Sequence, residues 1–282
     1  MTGGCRSGNG PAAGASGPVT YNSQCMSQLM QGKQAVVLGV ANRWSIAWSI
    51  AQALAREGAK LALTYQGDRQ KAAVEELARE LSTPVDVSPC DVTEPEALAA
   101  LAERLRASGE PVDAVVHSIA FANREDLTRP FLDTSRDGFL MAQEVSVYSF
   151  IALARALAPL MTRGGAILTL TYLGSTRVLP NYNVMGTCKA ALEAAMRYLA
   201  SELGPSNIRV NAISAGPIKT ASARAIKDFS KILDTIAERA PLRRNVDPAE
   251  VADTALFLAS DLGRGVTGNV IFVDAGYQIM GI

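Results

Sequence analysis

The sequence predicts an α/β protein, a single domain in which a seven-stranded parallel sheet is doubly wound with helices on both faces. Short runs rich in Val, Ala and Leu alternate with longer helical patterns from Lys33 onward. This alternation is typical of parallel strands joined by right-handed helical crossovers. With 282 residues and no linker-like composition between the runs, the chain is long enough to bury one substantial core.

The predicted strands are compact apolar runs bounded by turn-forming or polar residues, as expected when helices cover both faces of a sheet. They cover residues 34–38, 60–64, 85–87, 114–117, 166–171, 209–213 and 270–273. The predicted helices lie between them, with Asp or Pro near their starts and with Gly58 and Gly204 as stops. They cover residues 45–57, 68–81, 94–107, 136–161, 184–203 and 248–260.

The N-terminal residues 1–29 fall outside this alternation. They are rich in Gly, Ala and Ser and have no continuous apolar core, so they are typical neither of a signal peptide nor of a packed element. We expect a disordered tail there, with Met26 and Met30 as alternative starts, and one folded domain over residues 30–282.

A second segment, residues 218–242, separates the sixth strand from the last helix. A long insertion at the carboxyl end of a strand is typical of a lid, so we expect substrate to meet it. The apolar residues of this segment suit an acyl chain, although simple helix amphipathicity would explain them equally well. They are Ala225, Ile226, Phe229 and Ile232.

The composition excludes several classes of function. The 27 basic and 27 acidic residues cancel, so no global charge favours a nucleic acid or an anionic membrane. No uninterrupted run of about eighteen apolar residues is present, which predicts a soluble protein. The single histidine, His117, and four cysteines without paired spacing argue against a zinc site, a Ser-His-Asp triad and a disulfide framework. We therefore expect no metal, a reducing compartment and a cytoplasmic location, with Cys188 as a small buried side chain.

The first strand runs into residues 39–47, where a dinucleotide-binding Rossmann fold places phosphates against helix N-terminal amides. Only Gly39 remains of the usual glycine pattern, so the motif alone is weak. Ser45 stands at the helix start, beside Ile46, where its hydroxyl would bind phosphate or simply cap the helix.

The ends of the second and third strands carry the residues expected to face the adenosine. Gln66 adds no positive charge for a 2′-phosphate, which favours NADH, while nearby Arg69 and Lys71 keep NADPH open. Asp91 and Val92 follow the third strand and would bracket the adenine, unless Asp91 only caps the next helix.

Small residues end the fourth strand, over residues 117–122. Ser118 and Ile119 would let the backbone approach the cofactor ribose closely, and Ala122 would line the substrate pocket. His117 is interpreted as a strand-end histidine held by a hydrogen bond rather than as a catalytic group.

The catalytic frame lies after the fifth strand. Tyr172 stands thirteen residues before Met185, and Lys189 follows four residues later. Short-chain dehydrogenases carry Ser, Tyr and Lys at these three places, so the usual tyrosine is missing here. Another tyrosine, Tyr182, stands three residues earlier, seven before Lys189.

With the motifs at 39–47, 117–122, 171–174, 181–186 and 214–220, this frame resembles the bacterial-type NADH-dependent enoyl-[acyl-carrier-protein] reductases of the short-chain dehydrogenase/reductase superfamily. The resemblance covers residues 32–282. It implies hydride transfer from NADH to C3 of a trans-2-enoyl thioester in fatty acid elongation, an acyl carrier protein as partner and a homotetramer.

The displaced tyrosine has a physical rationale. Reducing an enoyl thioester puts negative charge on the thioester oxygen, which is farther from the hydride acceptor than the alkoxide of a keto reduction. Helical residues seven apart share a face and lie roughly 10 Å apart along the axis, against about 6 Å for four apart. A hydroxyl one turn farther from Lys189 would therefore meet the remote oxygen.

The resemblance also implies residue roles. Tyr182 would hydrogen-bond the developing enolate, Tyr172 would orient substrate in the same pocket, and Lys189 would donate to the nicotinamide ribose. Further contacts to the cofactor would come from a segment that follows the sixth strand, at Ile218, Thr220 and Ser222.

Two alternatives remain open from the sequence. One is a keto reductase of the same superfamily, against which stand Met185, the shifted Tyr182, and Ser146 near the place of the usual catalytic Asn. The other is a nucleotide-sensing regulator on the same fold, which loss of the tyrosine or lysine would favour; both are present.

Overall fold

One parallel sheet of seven strands organises the chain. A computed structural model describes residues 28–220, 223 and 229–281. The strands are β1 (Gln34–Leu38), β2 (Lys60–Tyr65), β3 (Val85–Pro89), β4 (Ala114–His117), β5 (Gly165–Thr171), β6 (Ile208–Ala215) and β7 (Val270–Val273). Their order is β3-β2-β1-β4-β5-β6-β7, and every pairing is parallel. The predicted doubly wound Rossmann-like fold is confirmed, and its strand order reverses between β1 and β4, where ligands bind in such sheets.

The helices alternate with the strands as predicted, with two additions. They are α1 (Ile46–Arg56), α2 (Asp68–Ala78), α3 (Pro95–Ala107), α4 (Arg124–Thr128), α5 (Arg136–Gln143), a π-helix (Glu144–Tyr148), α6 (Ser149–Leu157), α7 (Asn183–Leu203), α8 (Phe229–Arg239) and α9 (Pro248–Ala259). No helix was predicted at α4, and α8 lies in the segment where helix amphipathicity was one of two interpretations of the apolar residues. A continuous helix was expected where α5, the π-helix and α6 follow one another.

The core consists of two apolar layers, one on each face of the sheet. Side chains of α1 and α9 pack on one face, and those of α3, α6 and α7 pack on the other. Alternate residues of each strand enter different layers, so Val36 and Val37 are both fully buried but on opposite faces. This two-sided burial explains why the strands read as continuous apolar runs.

Several predicted boundaries differ from the structure. β6 continues beyond residue 213 because Ser214 and Ala215 pair with Phe272 and Val273 of β7. Gly58 has φ +90°, as a helix stop requires. Gly204 follows α7 but keeps a right-handed backbone and opens a 3₁₀ turn, and the left-handed residue is Asn207.

One helical stretch within the described residues, Arg136–Leu160, is long and apolar enough by length and mean hydropathy to cross a membrane. Its α6 portion packs against α3 and α7, and Phe150 and Leu153 are fully buried. The apolar character of this stretch therefore serves the packing of one sheet face.

Residues 1–27 of the predicted tail and residues 221, 222 and 224–228 of the predicted lid lie outside the described residues. At the junction with the tail, Leu29 already packs against the core and its amide donates to the Glu57 carboxylate at 3.4 Å. Met30 is fully buried.

Candidate active site

Two adjoining cavities, of about 510 and 550 Å³, open at the carboxyl ends of the strands around the β1/β4 switch point. The described residues predicted to bind cofactor or substrate line one or both, Phe229 included, except Ile232, which packs against the buried cluster around Ile236. The first cavity is lined by Gly39, Ser45, Ile46, Ser118, Ile119, Ala122, Tyr172, Tyr182, Lys189, Ile218 and Thr220. The second is lined by Gly39, Gln66, Asp91, Val92, Ser118 and Ile119. Ser222 lies outside the described residues.

Gly39 is where the two cavities meet. Its φ is +96°, and a Cβ added there would lie 2.0 Å from the Ser118 carbonyl oxygen. The Ser118 amide in turn donates to the Leu38 carbonyl at 3.2 Å. Only glycine fits between the end of β1 and the end of β4, at the groove where the two cavities meet.

The N-terminus of α1 faces the first cavity. Ser45 occupies the N-cap position, but its Oγ donates to the Asn42 carbonyl at 2.7 Å and makes no capping bond. The predicted alternative of Ser45 as a side-chain cap is therefore wrong. The first amides of α1, at the Ile46 end, receive no bond from the cap side chain and suit an anion such as a diphosphate.

Gln66 and Asp91 form a pair at the rim of the second cavity. Gln66 Nε2 donates to Asp91 Oδ2 at 2.9 Å, and Asp91 Oδ1 accepts from the Thr93 amide at 2.9 Å and from the Thr93 hydroxyl at 2.7 Å. The N-cap of α3 is Glu94, so Asp91 closes a turn rather than capping that helix. Partial burial acts to raise the pKa of Asp91, but these hydrogen bonds outweigh it and leave the pKa below its usual value.

The hydrogen bond between Gln66 and Asp91 determines which group of a cofactor can bind beside them. One N–H of Gln66 Nε2 donates to Asp91, and the carbonyl oxygen is the acceptor that Gln66 offers to a ribose. An acceptor beside an ionised carboxylate suits ribose hydroxyls, which donate, and opposes a 2′-phosphate.

His117 is held as the sequence predicts. It is fully buried, with Nδ1 3.1 Å from Thr169 Oγ1 and Nε2 2.8 Å from Ser149 Oγ. Ser149 Oγ donates its hydrogen to the Val145 carbonyl at 2.6 Å. In the bond between His117 and Ser149, Nε2 must therefore be the donor. Burial, with the nearby charge of Lys189, lowers the pKa of His117 to about 3. The imidazole is therefore neutral and structural.

Ser146 in the π-helix anchors the loop that separates the cavities. It is fully buried, and its Oγ accepts from the Phe121 amide at 3.0 Å and donates to the Phe121 carbonyl at 3.2 Å. A π-helical turn is often found at functional sites. The sequence analysis used Ser146 only as a missing Asn and gave no signal of this anchoring role.

Tyr172 and Tyr182 meet edge to face in the first cavity, with ring centroids 5.1 Å apart and an interplanar angle of 71°. Burial, helped by Tyr277 and Asp274, raises the pKa of Tyr172 to about 12. Burial, with the neighbouring Tyr172, raises the pKa of Tyr182 far above its usual value. Both phenols are therefore proton-bearing donors at neutral pH.

The backbone around Tyr182 is unusual. Tyr182 is the N-cap of α7 and lies between two residues with positive φ, Asn181 at 61° and Asn183 at 31°. Asn183 Nδ2 donates to the Arg129 carbonyl at 2.7 Å, and Gly174 leaves no room for a Cβ beside the Tyr182 ring. Tyr182 thus precedes the regular helix, and the helical-rise argument for its seven-residue spacing from Lys189 was wrong. The Asn-Tyr-Asn pattern was the available signal, because Asn tolerates this backbone region.

Lys189 lies on α7 with its side chain in the first cavity. Its Nζ donates to the Leu170 carbonyl at 2.8 Å, and the residue is 6% exposed. Burial lowers the pKa of Lys189 to about 8, while Cys188 and Glu193 oppose that shift. Cys188 is fully buried, as predicted. Among the residues that the structure describes, no group of three or more His, Cys, Asp or Glu could hold a metal ion.

Comparisons with known proteins agree with this geometry. A family model described as "Enoyl-(Acyl carrier protein) reductase" matches residues 39–278. The NADH enoyl-[acyl-carrier-protein] reductase FabI of Bacillus cereus is 56% identical over 255 residues, which are 90% of this chain and 100% of that protein. A Rhizobium meliloti enoyl-[acyl-carrier-protein] reductase is 52% identical over 256 residues, covering 91% and 94% of the two chains.

Solved structures give the same result. The Bacillus cereus enoyl-acyl carrier protein reductase, solved with NADP+ and indole naphthyridinone, has a TM-score of 0.89 at 56% identity and covers 90% of this chain and 99% of its own. The Anaplasma phagocytophilum enoyl-(acyl-carrier-protein) reductase, solved with NAD, has a TM-score of 0.87 at 46% identity and covers 90% and 97%.

Proposed function

The chain belongs to the enoyl-[acyl-carrier-protein] reductase family and is an NADH-dependent oxidoreductase, and we propose that Tyr172, Tyr182 and Lys189 form its catalytic centre. Its substrate class is the trans-2-enoyl thioester carried by acyl carrier protein. The observation that carries the residue assignment is the pair of protonated phenols beside a buried lysine in one cavity.

NADH supplies the hydride that C3 of the enoyl group accepts. Gly39 lines the groove where the two cavities meet, and the amides at the start of α1 suit the diphosphate of the dinucleotide. The residues that would hold it are Gly39, Ser45, Ile46, Gln66, Asp91, Val92, Ser118, Ile119, Lys189, Ile218 and Thr220, with Ser222 proposed from the sequence alone.

Tyr182 stabilises the negative charge that develops on the thioester oxygen. Its phenol keeps its proton at neutral pH, so it donates a hydrogen bond to that oxygen and can pass the proton on. Tyr172 fixes the ring of Tyr182 by edge contact and lines the same cavity with Ala122, where the substrate binds.

Lys189 acts on the cofactor side of the same cavity. An ammonium with three donors has two left after its bond to the Leu170 carbonyl, and these suit the ribose hydroxyls beside the nicotinamide. Its positive charge also lowers the energy of negative charge nearby.

Met185 separates this site from that of a keto reductase. It lines the first cavity at the place where keto reductases carry their tyrosine, and its thioether cannot donate a proton. The cavity therefore has no acid at the position that a keto substrate requires.

Turnover with two substrates tests the proposed function. We expect NADH absorbance at 340 nm to fall with a crotonyl thioester and to stay constant with an acetoacetyl thioester. The phenols are placed to donate to the thioester oxygen of the enoyl substrate and not to the ketone oxygen of the acetoacetyl substrate. Preference for the acetoacetyl thioester would favour a keto reductase. No oxidation with either, alongside tight NADH binding, would favour a nucleotide sensor.

The Gln66 and Asp91 pair predicts cofactor preference. Replacing Gln66 with Arg removes the acceptor and adds a guanidinium that can bind a 2′-phosphate, so we expect kcat/KM for NADPH relative to NADH to rise about tenfold or more. The steady-state constants with both cofactors measure this, with Gln66→Glu as the opposite control. An unchanged ratio in Gln66→Arg would show that Gln66 does not face the ribose.

We also propose a cytoplasmic homotetramer. Large apolar side chains are exposed on the surfaces of α5 to α7 and near β7, and assembly would cover them. They include Phe139, Leu140, Tyr148, Tyr198, Phe257 and Phe272. Light scattering after gel filtration should give four times the mass of 29.7 kDa; a monomer would contradict the proposal.

A further inference from the structure

A buried carboxylate lies next to Lys189 and has no role in the mechanism above. Glu193 follows Lys189 by one helical turn on α7, and positions four apart on a helix are neighbours on one face. The Glu193 residue is 7% exposed, about as buried as Lys189. A carboxylate in this position needs compensation by hydrogen bonds or by a cation.

The end of β5 provides the hydrogen bond. Thr171 Oγ1 donates to Glu193 Oε1 at 2.6 Å, and the preceding residue, Leu170, accepts from Lys189 Nζ at 2.8 Å. Two consecutive residues of β5, Leu170 and Thr171, therefore each bond one charged side chain of α7. The next residue in the chain is Tyr172, so this double connection also fixes the strand end that carries a catalytic phenol.

Among the titratable groups around Lys189, the Glu193 carboxylate is the one that can balance the positive charge of the lysine. On β4, His117 is neutral, and on α7 the Cys188 thiol is protonated because burial raises its pKa to about 11. The phenols of Tyr172 and Tyr182 also keep their protons. Against the effect of burial on the Lys189 pKa, Cys188 and Glu193 both favour the charged lysine, and because the Cys188 thiol keeps its proton, Glu193 is the charged partner of the two.

We propose that Glu193 is a positioning residue that, with Thr171, holds Lys189 protonated and directed toward the Leu170 carbonyl and the cofactor side of the first cavity. The inference rests on the proposed function, in which Lys189 binds the ribose of NADH. Its consequence is that Glu193 sets the highest pH at which the enzyme binds its cofactor well.

The test measures NADH affinity against pH by the fluorescence of bound NADH. In the unaltered enzyme, we expect NADH affinity to be high while Lys189 is protonated and to fall as pH rises through the Lys189 pKa of about 8. Glu193→Gln keeps an acceptor for Thr171 but removes the charge, which lowers the pKa of Lys189. We expect the alkaline fall in affinity, and the matching fall in kcat, to move down by about one pH unit.

Thr171→Val provides an independent variant should Glu193→Gln fail to fold. Without the hydroxyl, the Glu193 carboxylate loses the donor that holds it beside Lys189, so the alkaline fall should move in the same direction by a smaller amount. Thr171→Ser keeps the hydroxyl and loses only the methyl group, so it should have the pH profile of the unaltered enzyme. If Thr171 acted only through the packing of its methyl group, Thr171→Ser would instead behave like Thr171→Val.

Asp113→Asn is the matched control. Asp113 is also 7% exposed, but it lies at the opposite end of the sheet, where it accepts from the Gln34 amide and from Arg163. This variant should lose thermal stability and keep the alkaline fall in place. If Glu193→Gln behaves in the same way, Glu193 is only structural and the inference is wrong. If the NADH profile moves but the unaltered enzyme does not reduce an enoyl thioester, the proposed function fails and the role of Glu193 stands.

Discussion

We expect Tyr182→Phe to lower kcat for a trans-2-enoyl thioester by roughly 100- to 1000-fold, since the loss of one preorganised donor to a developing oxyanion has an effect of this size. The ring remains, so its edge contact with Tyr172 and its packing against Gly174 should persist. NADH affinity should stay within about twofold, because Lys189 and the groove at Gly39 are unchanged. Single-turnover measurements at saturating NADH would report the chemical step directly.

Tyr172→Phe is the matched control for this prediction. It removes a hydroxyl from the same cavity but keeps Tyr182, so we expect a fall of about tenfold or less, mostly in KM for the thioester. Equal losses in the two variants would mean that neither phenol is the specific donor. A larger loss in Tyr172→Phe would exchange the proposed roles.

Gly39→Ala should have the largest effect on stability and on cofactor binding together. A left-handed backbone costs an L-residue about 1–2 kcal/mol, and the new Cβ would in addition lie 2.0 Å from the Ser118 carbonyl oxygen. We expect the free energy of unfolding to fall by about 3 kcal/mol or more, because the ends of β1 and β4 must separate. NADH affinity should fall with it. Urea denaturation and NADH fluorescence measure the two effects.

Gly109→Ala separates backbone strain from collision. Gly109 has a similar φ of +72°, but an added Cβ meets nothing within 4 Å. It should lose only about 1 kcal/mol of unfolding free energy and no NADH affinity. If both variants lost the same amount, the close approach of Gly39 to Ser118 would have no energetic role.

The fold was predictable because the sheet is buried on both faces. Its strands are continuous apolar runs, so β1, β4 and β7 have the bounds that the sequence predicts, and the other strands differ only at their ends. Helices packed on that sheet were predictable for the same reason. Helix α8, in the predicted lid segment, was only partly predictable, because its apolar residues fitted contacts to an acyl chain and one face of a helix equally well.

The lining of the site was also predictable, because residues that follow strands β1, β4, β5 and β6 meet at one edge of a parallel sheet. The hydrogen bonds within the site were not. Gln66 and Asp91 are 25 residues apart, and Thr171 and Glu193 are 22 apart. Such pairs depend on register between elements and on side-chain conformation, which no periodicity in the sequence encodes.

The π-helix at Glu144–Tyr148 also bears on how this chain should be aligned with others. A π-helical turn holds one residue more than a regular turn, so it is equivalent to a single-residue insertion in a helix. Ser146 in this wider turn bonds Phe121, and Ser149, the first residue after it, bonds His117. Deleting one residue here would restore a regular helix and rotate one of these serines about 100° away from its partner. A homologue with a one-residue gap at this place would therefore have to hold the end of β4 by other means.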